Sequence, residues 1–227
     1  MNGVTKRQRN MNNDVSVNKN AAGKIIFFTI VLCVGYAILR YHILGPVGWK
    51  DFPFLILNKG ISLAALLLLV LNFSLGPLNN VGLPVPGTWL AARKTLGMTG
   101  FLLVLIHALM SFMLFTPAIY PKLFEADGGL TLFGGLSMLG GVLSFVVLWG
   151  YNLSFQTHLR DEKAFIQFIT SRKFLLFAML LSAIHLFFMG FEGWLSPAGW
   201  HGGLPPISLV AFVLFAAGYL ANVFGRK

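Results

Sequence analysis

Six long apolar stretches, each followed by a shorter polar connection, set the pattern of this chain; they span residues 25–44, 54–75, 95–115, 130–153, 174–191 and 206–224. Each is close to the roughly 20 residues a helix needs to cross a hydrocarbon core about 30 Å thick. The runs are continuous rather than alternating, which fits helices and not barrel strands, and lipid offers the backbone no other open choice. The pattern predicts an all-α fold: a polytopic membrane helix bundle of about six transmembrane helices over residues 24–227. Residues 1–23 are polar and rich in Asn, with no periodic face to bury, and are expected to be a disordered cytoplasmic tail. Within the polar connection 154–170, a short surface helix would turn Ala164, Phe165 and Phe168 towards the lipid interface.

Composition strengthens this picture. The chain is 56% hydrophobic and only 11% charged, which leaves too little polar surface for a soluble domain and makes the lipid bilayer the first partner. A net charge of +10 would otherwise raise the question of nucleic acid. Here Lys and Arg sit in short clusters between apolar runs, with no basic domain to present them, so no nucleic-acid partner is expected. Placing both termini in the cytoplasm puts thirteen of the 17 Lys and Arg residues on that side, as the positive-inside rule requires. A bacterial-type inner or plasma membrane is the expected location. Arg40, Lys50, Lys59 and Lys122 are the exceptions. Cys33 is the chain's one cysteine, so it has no intramolecular disulfide partner.

Ionisable residues inside a span are costly and ask for a reason. His107 stands thirteen residues after Lys94, and His185 twelve after Lys173. On two helices running outward at about 1.5 Å per residue, both imidazoles lie roughly 18 to 20 Å from the cytoplasmic edge. Two imidazoles at one depth suit the axial positions of a haem iron. A helix-to-helix hydrogen bond for each histidine is the plainer reading. Tetrahedral zinc would need further Cys, Asp or Glu ligands, and none stands at that level. Lys59 lies about eight residues into the second span, roughly 12 Å deep, where its ammonium would either meet a haem propionate, with Asn58 as a second donor, or snorkel to the interface. His42, His158 and His201 fall in connections and are expected to be solvated. Trp49, Trp194 and Trp200 read as interfacial belt residues. The pairs Gly134-Gly135 and Gly140-Gly141 read as close-packing positions in the fourth span.

The run Arg93-Lys94-Thr95-Leu96-Gly97, followed by Phe101 and Ile106-His107, resembles the third helix of the ferric reductase-like transmembrane family. Lys59-Gly60 with the aliphatic run to Pro77-Leu78, and Ile184-His185 with Met189-Gly190, extend the resemblance over about residues 50–225. It implies b-type haem held between these helices, with His107 and His185 as axial ligands to the iron, and electron flow from a cytoplasmic donor to an acceptor outside. Relatives with an inner haem carry further histidines where this chain has Arg93 and Arg172, so one haem is expected. The chain lacks a G-x-G-x-x-G nucleotide fold. The resemblance therefore implies a separate flavin or nicotinamide reductase partner, a quinone, or a directly bound flavin, whose phosphates Arg93, Lys94, Arg172 and Lys173 could meet. Such a chain would be an oxidoreductase component. The other classes open at this point are a haemless membrane scaffold and a small-molecule transporter. The transporter is disfavoured because every Asp and Glu lies in the tail, in a connection or at a helix end.

Overall fold

All six apolar stretches form long helices in the computed structural model, which describes residues 2–156, 159 and 161–225, with side chains from residue 20 onward. The elements are α1 (Asn2–Ile38), α2 (Leu57–Asn80), α3 (Gly87–Leu114), α4 (Leu132–Leu153), α5 (Lys163–Ile169), α6 (Arg172–Trp194) and α7 (Ile207–Phe224). Six of them contain stretches long and apolar enough to cross a membrane, running from Asn20–Ile43 to His201–Phe224. No strand forms among the described residues; one isolated bridge joins Phe124 and Leu130. Apolar side chains point outward as freely as inward, with Leu32 of α1 68% exposed. In water that would be untenable, and in lipid it is the ordinary state of a spanning helix. The architecture is that of an integral membrane protein.

Helix starts follow local chemistry. Thr131 caps α4 by accepting a hydrogen bond from the Gly134 amide at 3.0 Å, and Ser171 caps α6 through the Phe174 amide, each satisfying a donor that the first turn leaves without a partner. Short α5 forms in the connection where a surface helix is expected; Ile169 is buried, while Phe165 and Phe168 are exposed. Helical backbone extends back to Asn2, continuous with the apolar part of α1. Extending an existing helix avoids the nucleation cost, so even a polar segment can follow the apolar one.

Helix α2 is the centre of the bundle, packed against α1, α3 and α7, while α4 packs on α6 and α6 on α7. The two ends differ. At the end where the described chain finishes, Leu69, Val70, Phe73, Phe101, Leu175, Met179 and Phe215 form a continuous apolar core. Towards the opposite end, a π-helical turn at Leu39–Ile43 follows α1 and another at Phe52–Ile56 leads into α2. Such turns rotate the following side chains off the regular helical stripe and recur at functional sites.

Candidate functional site: a cavity between two histidines

Between α2, α3, α4, α6 and α7 lies a cavity of about 740 Å³, whose lining includes both His107 and His185. That volume falls in the range of roughly 300 to 1,000 Å³ of cofactor pockets. Most of the wall is apolar and aromatic, with Leu66, Val104, Phe112, Phe145 and Phe215 among its members.

Each histidine is held by its Nδ1. His107 Nδ1 donates to Asn58 Oδ1 at 2.7 Å and stands 3.3 Å from Ser111 Oγ, while the Asn58 amide Nδ2 donates to the same Ser111 hydroxyl at 3.1 Å. The committed Nδ2 turns the Asn58 oxygen towards the ring, so Asn58 orients this imidazole from α2. His185 Nδ1 donates to the Ser137 carbonyl at 2.8 Å, and Ser137 Oγ donates to the His185 carbonyl at 3.2 Å. A carbonyl can only accept, so Nδ1 carries the proton. In both rings Nε2 is then the unprotonated nitrogen, with its lone pair uncommitted. A histidine oriented through one nitrogen to leave the other for a metal is the recurring arrangement of metal-binding imidazoles.

The α4 glycines make the second of these contacts possible. A Cβ on Gly141 would stand 2.8 Å from His185 Nδ1, and one on Gly140 would stand 3.0 Å from the His185 backbone nitrogen. Gly140-Gly141 therefore serves close helix packing, as expected, and the packed object is the histidine itself.

The cavity's charged residues are cationic. Lys59 lines it, with Nζ 4.8 Å from the Tyr41 ring centroid and 5.6 Å from that of Tyr120. Lys122, from the connection between α3 and α4, also lines it and donates to the Met189 carbonyl at 2.7 Å. Burial lowers the Lys122 ammonium's pKa from the ordinary lysine value; Glu192 opposes that shift and Lys59 adds to it. Arg40, 4% exposed, approaches Tyr41 at 4.8 Å and donates Nε to the Leu204 and Pro205 carbonyls. Three of the four cations that break the charge asymmetry of the sequence thus converge at one end of the cavity.

Other candidates are placed elsewhere. Arg93 and Arg172 do not line the cavity: Arg93 Nε donates to the Asn72 carbonyl at 2.9 Å, and Arg172 Nη2 to the Val223 carbonyl at 2.6 Å. Both tie helix to helix at the packed end. Lys94 lies over the Phe155 ring at 5.6 Å. Asn58, expected as a second donor to a propionate, is occupied with His107 and Ser111. His42 and His201 are half-buried rather than solvated: His42 Nδ1 bonds the Val47 carbonyl at 2.8 Å and its ring lies 4.1 Å from that of Trp49. His158 lies outside the described residues.

Sequence reasoning missed Ser111, Ser137, Lys122 and Tyr41. Ser111 had a signal, since it stands one helical turn beyond His107 on the same face. Ser137 had none, because its role is set across two helices.

Among the described residues no group of three or more His, Cys, Asp or Glu is placed to hold a metal ion. The donor set is two imidazoles. Two axial nitrogens suffice where a macrocycle supplies the equatorial ligands, whereas a bare zinc site would need more from the protein. Two imidazoles on one apolar cavity are compatible with a group that brings its own equatorial ligands.

No protein-family model matches this chain, and no curated protein matches it.

Proposed function

We propose that this protein is a membrane electron carrier of the ferric reductase-like kind, holding one b-type haem in the cavity between His107 and His185. The observation that carries this reading is that both imidazoles line one apolar cavity while their Nδ1 atoms are occupied by Asn58 and Ser137. Nε2 remains on each ring as a ligand of fixed tautomer. The apolar wall excludes water and favours a flat hydrophobic guest. Bound there, the haem would supply a one-electron iron couple, and His107 and His185, with Asn58 and Ser137 hydrogen-bonded to them, would be the residues that hold it and tune its potential. Lys59 is placed to meet a haem carboxylate.

A single site is supported by the packing. Where a second histidine pair would stand, Arg93 and Arg172 bond backbone carbonyls, and the volume between is filled by Phe73, Phe101, Met179 and their neighbours. With both termini in the cytoplasm of a bacterial-type plasma membrane, the cavity lies towards the outer face. Electrons would come from a flavin or nicotinamide reductase partner, a bound flavin or a quinone, and leave to an acceptor outside.

The test is a dithionite-reduced minus oxidised visible spectrum of the detergent-solubilised protein, with haem quantified per chain. One low-spin b-type haem per chain is the expected result. No haem after expression with adequate haem supply would overturn the reading in favour of a haemless scaffold or transporter.

A further inference from the structure

A cation in a bilayer needs water, an aromatic face or an anion. Lys59 has two tyrosine rings; Lys122, exposed in the connection between α3 and α4, has one carbonyl and stands near enough to Glu192 for that carboxylate to favour its charge, while neither lysine has a carboxylate within ion-pair distance among the described residues. The two ammonium groups are near enough for Lys59 to disfavour the charge on Lys122, and both line one cavity. Arg40 adds a third positive charge behind Tyr41, and its Nε is committed to the connection before α7. Like charges gathered this way repel one another; Glu192 offsets that repulsion at Lys122 without entering the cavity lining, and anions placed between the two lysines would offset it at both. Below them the cavity is apolar. The complementary guest has a broad hydrophobic body and two carboxylates on one edge.

We infer that Lys59 and Lys122 form a two-point carboxylate clamp that fixes which edge of the cavity's ligand faces the mouth. The clamp rests on the haem reading, in which the two carboxylates are the propionates. Each lysine would take one of them, so that a bound haem would enter between His107 and His185 in a single orientation. The Tyr41 and Tyr120 rings beside the Lys59 ammonium favour its position in the cavity before the ligand arrives.

The experiment compares haem b with its dimethyl ester, which keeps the macrocycle and removes both negative charges. Wild type, Lys59→Met, Lys122→Met and the double variant are stripped of haem in neutral detergent, without anionic lipid, and retitrated with each. Wild type is expected to bind the ester about 10-fold or more weakly than haem, the loss being charge-assisted hydrogen bonds. Each single variant should lose a similar factor for haem and almost nothing for the ester. Equal affinity of wild type for haem and ester would overturn the clamp, as would variant losses that are the same for both ligands. Because the wild-type comparison needs no mutation, a variant that fails to fold leaves the test intact. Wild type binding neither ligand in a low-spin form would sink the haem reading itself, which is distinct from failure of the clamp alone.

Discussion

The two halves of this bundle use the same helices to opposite ends. In the half towards Arg93 and Arg172, the space between α2, α3, α6 and α7 is filled: Met179 is fully buried, Phe73 and Phe101 are buried in the same cluster, and Arg93 Nε and Arg172 Nη2 each donate to a backbone carbonyl. In the half towards Lys59 and Lys122 the same helices stand around a cavity, and the polar side chains face into it. What differs is whether the space between the helices is filled. Packed apolar side chains close the first half, even though Asn72 Nδ2, Ser74 Oγ, Arg172 Nε and Asn222 Oδ1 stay buried there without a hydrogen-bond partner, whereas the second half keeps a cavity lined by two histidines and two lysines. A membrane protein keeps such groups where something else completes them.

That contrast can be broken experimentally. Its strongest form is that the histidines serve the ligand and not the fold. His107→Ala and His185→Ala are each expected to abolish the low-spin haem spectrum while leaving helical circular dichroism unchanged; bis-histidine spectra surviving in the His185 variant would refute the axial assignment. Met179→Ala should do the reverse. Truncating this fully buried side chain should cost about 2–5 kcal/mol, read as a lower temperature of thermal inactivation in detergent, with the spectrum of the remaining folded protein unaltered. Asn58→Leu removes the acceptor that fixes His107. Loss of such a supporting hydrogen bond typically weakens metal binding about 10- to 100-fold, so haem dissociation should accelerate by that order and the reduction potential should shift. The smallest effect should come from Arg172→Gln, which removes one interhelical contact worth about 1 kcal/mol and should leave haem content at the wild-type level. Haem or flavin loss in that variant would place a ligand at the packed end and erase the difference between the halves.

How legible all this was differs from residue to residue. The depth of His107 and His185 could be read directly, because rise per residue in a helix is fixed and counting from Lys94 and Lys173 measures position along the membrane. The partners of those rings could not. Ser137 reaches His185 only because Gly140 and Gly141 let α4 and α6 close together, and Asn58 faces His107 only because α2 packs on α3. Lys59 was recognised as out of place from hydropathy alone. Lys122 reads as an ordinary loop residue until the connection between α3 and α4 folds over the cavity.

By itself, then, the sequence determined the number of spans, the chain's place in lipid, and the level at which its two intramembrane histidines stand. These follow from quantities that are local in the chain: apolar run length, charge between runs and helical rise. Tertiary structure alone decided which nitrogen each histidine leaves free, that Arg40, Lys59 and Lys122 gather at one mouth, and that the other half is closed. Those depend on helix rotation and neighbour choice, and with lipid as apolar as the helices themselves, side-chain packing and interhelical hydrogen bonds rather than hydrophobic patterning settle both.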